Sequence, residues 1–255
     1  MNNKSAKQIL NSYKTKRVLI AIAYVAVLAV LCFVASKNLL LGVACIAVLA
    51  ASVRAPFESL REKELEAVIY EDLDPVKFNE LISLGAFKKS TRHHALGAMC
   101  VGDYDRLMRI VDESDKKTMN PIEKCNNLYR RGAMYFELGE FEKLPAIVKE
   151  FNSLKKQNPK IEYVFNNFSV FDKFDAFADE DYEYVIDVCD IDLKENSPKK
   201  QNHKITRINV SFYRAVSLYK LGRLDEAREG FEDIIAFAPK MHKATISKKY
   251  LEMMK

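Results

Sequence analysis

The chain has 255 residues, with Lys+Arg 40 against Asp+Glu 35, 49% hydrophobic side chains, and Gly 8 and Pro 7. That length suits one or two domains with a sizeable core; the hydrophobic share excludes a disordered chain, and the scarcity of turn residues excludes an all-β sandwich, leaving an all-α fold. The net charge of +5 conceals a division. Residues 1–57 hold no Asp or Glu and seven basic residues, so the remainder carries 33 basic against 35 acidic side chains. Nothing on the folded part supplies the clustered positive charge that nucleic acid requires.

The basic N-terminus, residues 1–17, runs into Val18–Ser36, nineteen residues without a charge, and Leu39–Val53 adds fifteen more. At ~1.5 Å per residue the first run spans ~28 Å, close to a bilayer core, and the second ~22 Å. Ser36-Lys37-Asn38 interrupts them, so residues 18–54 are expected to form a transmembrane hairpin with spans 18–36 and 39–53. A secretory signal peptide ending near Val34-Ala35-Ser36 is the alternative, opposed by the length of the run and by the second run that follows. Neither run has the polar face of a soluble core helix. Lys4, Lys7, Lys14, Lys16 and Arg17 precede the first span and Arg54, Arg61 and Lys63 follow the second, with only Lys37 between. This asymmetry puts both termini in the cytoplasm of an integral membrane protein. Five cysteines without CxxC spacing suit a reducing compartment.

Residues 55–87 read as juxtamembrane linker helices. FESLREKELEAVIY (57–70) continues as a charged helix, Asp74-Pro75 gives an N-cap with proline at the first helical position, and Gly85 is expected at the helix C-terminus. Self-similarity follows over 88–255. GDYDRLMRIVDE begins at Gly102, GEFEKLPAIVKEF at Gly139 and GRLDEAREGFEDI at Gly222; EDYEYVIDVCDI begins at Glu180, with Glu in the glycine position. The spacings of 37, 41 and 42 residues fit helical hairpins. Small residues seven positions before the turn, Ala95, Gly132 and Ala215, allow close helix approach, and Pro239 stops the last repeat.

Ala215, Gly222, Ala227, Phe231 and Pro239 fall at the signature spacing of the tetratricopeptide repeat family, which residues 208–241 resemble. Residues 125–158 resemble it through Gly132, Tyr135 and Gly139, with Leu144 in place of a small residue and Pro145 irregular. The repeats near 88–116 and 166–197 are degenerate. The resemblance implies an α-solenoid of about four helix pairs, with 239–254 as a capping helix. It also implies a concave groove for an unidentified protein or peptide. Counting back from each turn gives Lys89 and Arg92 in the first repeat, Asn126, Tyr129 and Arg130 in the second, and Asn209, Phe212 and Tyr213 in the fourth. Asn126 and Asn209 hold equivalent positions from which an amide reaches a peptide backbone.

No catalytic constellation, metal site or cofactor is expected. His93-His94 point ~100° apart on a helix and lack a partner at ligand spacing. Phe165, Phe168, Phe171, Phe174 and Phe177 recur every third residue and sweep ~240° of a helix, which suits a helix buried on several sides. The surrounding acids, Asp172 to Glu183, lack a calcium-loop register. The basic run 198–207 reads as a solvated loop and helix start. The expected function is therefore a membrane-anchored cytoplasmic adaptor, neither enzyme nor nucleic-acid binder. An accessory subunit using the hairpin (Gly42, Ala44, Ala47) as its interface is the alternative, and a peptide-sensing regulator a further one.

Overall fold

The computed structural model describes residues 4–37, 39–85, 87, 91–117, 120–159, 168–198 and 202–255. The chain is all-helical, with no strand among the described residues, and divides into two compact units, Met1–Ser90 and Thr91–Lys255.

In the first unit, α1 (Ala6–Lys37) and α2 (Leu39–Ser52) form an antiparallel hairpin, and α3 (Arg54–Glu66) continues almost directly from α2. Two stretches, Ala6–Lys37 and Gly42–Glu71, are long and apolar enough to cross a membrane. Val18, Leu19, Ile22, Val25, Val30, Phe33, Val43 and Val48 all turn outward. At ~25 cal/mol per Å², such a belt is far more stable in hydrocarbon than in water. The hairpin closes tightly: a methyl group on Gly42 would collide with Ala35.

Within the basic N-terminal segment, residues 6–17 are helical and continuous with the first apolar run. In this first part of α1, Ala6, Ile9 and Tyr13 occupy one face by their i, i+3, i+7 spacing and are buried. This face packs with α3 and with α4 (Pro75–Ser83), and Tyr13 meets Phe87 at 4.9 Å between ring centroids. The Asp74 carboxylate accepts from the Lys77 amide at 3.0 Å, as an N-cap does. Gly85 stands directly after the C-cap residue Leu84, at the expected end of α4, but without a left-handed conformation. Leu84 is already extended (φ −77°, ψ 135°), so the helix ends without a left-handed residue. A π-helical turn, Ala67–Glu71, follows α3.

The second unit consists of helix pairs: α5 (Thr91–Val101) with α6 (Tyr104–Asp115), α7 (Pro121–Leu138) with α8 (Leu144–Gln157), α9 (Val170–Ala178) with α10 (Tyr182–Glu195), and α11 (His203–Lys220) with α12 (Leu224–Phe237). Each helix packs on the next, and α13 (His242–Met253) closes the series on α12.

The four turns share one geometry. Gly102, Gly139 and Gly222 each have φ +75°, and Glu180 has φ +61°. After each, the next amide donates to the carbonyl five residues back: Asp103 to Ala98 at 2.9 Å, Glu140 to Tyr135 at 2.9 Å, Asp181 to Ala176 at 2.8 Å and Arg223 to Leu218 at 3.0 Å. This six-to-one bond satisfies a helix-end carbonyl and reverses the chain. Five residues beyond the turn, Leu107, Leu144, Val185 and Ala227 are all fully buried. Pro145 is harmless because a 3₁₀ turn, Phe141–Lys143, precedes α8 and leaves the proline in its first turn, where no helical N–H is needed.

Seven residues before the turn, Ala95 and Ala215 are buried, and a methyl group on Gly132 would run into the Phe174 ring. The third pair departs from this: its equivalent residue is Lys173, buried and paired with Asp192 at 2.6 Å. Phe171, Phe174 and Phe177 are buried on α9 while Asp172 and Asp175 face outward; Phe165 lies outside the described residues.

Glu180 carries a left-handed conformation that a residue with a Cβ adopts at a cost of ~1–2 kcal/mol, from which glycine is exempt. Glu180→Gly is expected to stabilise the second unit by about 1 kcal/mol. Denaturant unfolding of the detergent-solubilised chain, followed by circular dichroism, checks this; an unchanged or lower midpoint refutes it.

Candidate functional site

The first helices of the pairs, α7, α9 and α11, meet through aromatic rings. Phe136 lies at the centre, 4.7 Å from Phe177, 4.7 Å from Tyr213, 6.2 Å from Phe212 and 6.3 Å from Phe174 between ring centroids. Tyr250 of α13 stacks on Phe231 at 4.8 Å and also approaches Phe212 and Tyr219.

This packing separates the residues expected to line a groove. Phe212 (0% exposed) and Tyr213 (3%) are core residues, so neither offers a surface to a peptide. Burial pushes the Tyr213 phenol far above its ordinary pKa, and its hydroxyl has no hydrogen-bond partner among the described residues. Lys89 lies outside the described residues. The others remain reachable: Arg92 is exposed, and Asn126, Tyr129, Arg130 and Asn209 are half-buried.

Asn209 on α11 donates to the Tyr129 hydroxyl on α7 at 3.3 Å, bringing two of these residues together across the aromatic core. Arg130 donates to the Asn127 amide oxygen at 2.6 Å and lies 3.6 Å from Glu123. Desolvation lowers the Arg130 pKa; Glu123 opposes that shift, and the positive charge of Arg92 adds to it. The half-buried residues thus offer amide, phenol and guanidinium groups, with the exposed Arg92 guanidinium as a further cation, a set that binds carbonyls and carboxylates. His93 is buried, whereas His94 is half-exposed with its Nδ1 2.9 Å from an Arg106 guanidinium nitrogen.

A second group of side chains has no counterpart among the sequence-based expectations. Glu137, its side chain 1% exposed, takes an ion pair from Lys243 (7%) and a 2.7 Å hydrogen bond from the Tyr104 hydroxyl. Lys243 also lies over the Phe212 ring at 5.6 Å, and His242 meets Tyr104 edge-on at 5.4 Å. Gly102 is required beside it, since a methyl group there would enter the His242 ring. The terminal helix, expected as a cap with a polar outer face, therefore buries Lys243, Ala244, Ile246 and Ser247 and packs against α5 as well as α12.

Burial raises the pKa of Tyr104, and Glu137 adds to the effect. Burial also pushes the Cys100, Cys125 and Cys189 thiols up to about 12, which keeps them protonated and inert. The cluster is suited to holding α6, α7 and α13 together rather than to proton transfer.

Comparison with protein-family profiles, curated proteins and solved structures gives no match.

Removing one partner of the Glu137–Lys243 pair leaves a charge buried alone. Glu137→Gln and Lys243→Met are each expected to cost about 3–5 kcal/mol, with the double variant far less destabilised than their sum. Chemical denaturation of all four proteins measures the coupling, and simple additivity refutes the pairing.

His242 gives a pH dependence of definite sign. Burial lowers its pKa below 6.5, Lys243 adds to that shift and Glu137 opposes it. The unfolded chain then binds the proton more readily, so the His242 contribution is present above about pH 6.5 and lost as the pH falls through the folded-state value. His242→Gln is expected to flatten the decline in melting temperature between neutral and mildly acidic pH. An unchanged slope assigns that decline to other groups.

Proposed function

We propose that this chain is a membrane-anchored protein of the tetratricopeptide-repeat type that recruits a protein or peptide at the cytoplasmic face of a bilayer. The observation that carries the reading is the recurrence of one left-handed turn at residues 102, 139, 180 and 222, each between paired helices. Stacked helical hairpins present side chains of their first helices to partners, and no catalytic group is needed for that. The outward apolar belt of α1 and α2 supports insertion, and the Lys/Arg asymmetry of the sequence supports cytoplasmic termini. Confinement to the membrane plane then raises the effective concentration of a partner already there.

The reachable part of the binding surface in this reading is Arg92, Asn126, Tyr129, Arg130 and Asn209. Phe212 and Tyr213 support it from beneath. The alternative, in which the hairpin docks against another membrane subunit, draws on the same outward belt, but Gly42 is engaged inside the hairpin against Ala35 and is not free for it.

Affinity purification in mild detergent tests the proposal, comparing the full chain with an Asn126→Ala/Tyr129→Ala/Arg130→Ala variant. A co-purifying protein present with the parent chain and lost from the variant is expected. A partner retained by the variant but lost when outward valines of α1 are changed transfers the interface to the hairpin and overturns the adaptor reading.

A further inference from the structure

Arg17 lies directly before the outward apolar belt. Its guanidinium sits 5.8 Å from the centre of the Tyr13 ring and 5.6 Å from that of Phe57, held between α1 and α3. Tyr24 stacks on the same Phe57 ring at 6.5 Å, and its hydroxyl donates to the Ser52 carbonyl at 3.3 Å. Aromatic rings at such a boundary are typical membrane-interface anchors.

Among the described residues, Arg17 makes no hydrogen bond and no ion pair, although it is exposed and has five N–H donors. The neighbouring carboxylates are engaged elsewhere: Glu64 pairs with Lys16, and Glu58 with Arg54 at 2.6 Å. Lys14, three residues before Arg17 on the same helical face, is exposed and likewise without an ion pair. Two uncompensated cations therefore stand one turn apart, one of them pre-oriented by two rings.

We propose that Arg17 and Lys14 form a binding site for the phosphate of an anionic phospholipid headgroup, an inference that rests on the membrane reading above. A guanidinium clamped by aromatic faces loses little side-chain entropy on binding and presents a bidentate edge that matches phosphate oxygens. Val18 and Leu19 follow at once and Ile22 lies a turn further, all outward. A ligand seated on Arg17 thus has an apolar surface running away beneath its phosphate, which suits acyl chains and is wasted on a free phosphate ion. Net negative headgroup charge matches the two cations, where a choline headgroup would bring its own.

The test uses the full chain in neutral detergent, with native mass spectrometry during titration of phosphatidylglycerol or phosphatidylcholine of identical acyl chains. Preferential retention of phosphatidylglycerol is expected. Arg17→Gln should weaken it about fivefold and Lys14→Gln/Arg17→Gln further, on the basis of ~1 kcal/mol per basic residue at an anionic surface. Arg17→Lys should recover only part, because the charge returns without the fork. Lys7→Gln, more than two turns further from the belt, should bind like the parent chain. Circular dichroism confirms that the variants keep their helices.

Equal retention of the two lipids overturns the site, as does an equal loss for Lys7→Gln and Arg17→Gln, which would indicate diffuse attraction. Displacement of the lipid by millimolar inorganic phosphate would assign the site to a soluble anion and overturn the lipid assignment. Alkaline extraction of membranes separates the two levels. A chain released by alkali refutes the membrane reading itself, whereas a chain that stays embedded yet shows no lipid preference refutes only the headgroup site.

Discussion

The second unit depends on reversing the chain within two residues without leaving a helix-end carbonyl unsatisfied. A left-handed residue followed by a six-to-one hydrogen bond does this at 102, 139, 180 and 222. Because the reversal is the same each time, the residue five positions further always arrives at the same depth, and Leu107, Leu144, Val185 and Ala227 are buried regardless of size. Helix length and residue volume are free to vary once the turn is set. That freedom explains how Leu144 takes the place of a small residue, and how a proline is absorbed at the start of α8.

Closure of the unit uses a different kind of interaction. Hydrophobic packing around Phe136 is strong but non-directional, and rings tolerate sliding. The Tyr104–Glu137–Lys243 arrangement adds direction: a carboxylate with both oxygens engaged accepts one arrangement of α6, α7 and α13 and penalises others. Desolvating two charges limits any net stabilisation, so its main effect is to fix where the terminal helix sits. His242 beside Gly102 adds a steric constraint at the same place.

Much of this was legible from residue spacing. The turn glycines, the non-glycine substitute at 180, the break near residue 37 and the N-cap at Asp74 all follow from local backbone chemistry, which a short window of sequence contains. What escaped is what depends on long-range neighbours. Phe212 and Tyr213 occupy positions equivalent to Tyr129 and Arg130, yet the first two are buried because α13 and α7 cover them, and no local pattern announces that. Glu137 and Lys243 read as ordinary solvated charges; only their separation of 106 residues closing into one ion pair gives them a role. Gly85 marks the end of α4 as its sequence position predicts, yet without a left-handed turn, since glycine permits that conformation without requiring it. Lys173 shows that a buried position can admit a charged side chain when Asp192 is within reach.

The uninterrupted course of α1 has a mechanical consequence. Ala6, Ile9 and Tyr13 sit on the same rigid rod as the apolar belt, with no hinge between them. The arm from Val18 to Ala6 is about 18 Å, so a tilt of ~10° of the apolar stretch relative to α3 and α4 swings its end by ~3 Å. That displacement exceeds what the packing of Tyr13 against Phe87 can absorb without repacking. Any such tilt is thereby coupled to the small core formed by α1, α3 and α4, as a lever couples its load to its fulcrum.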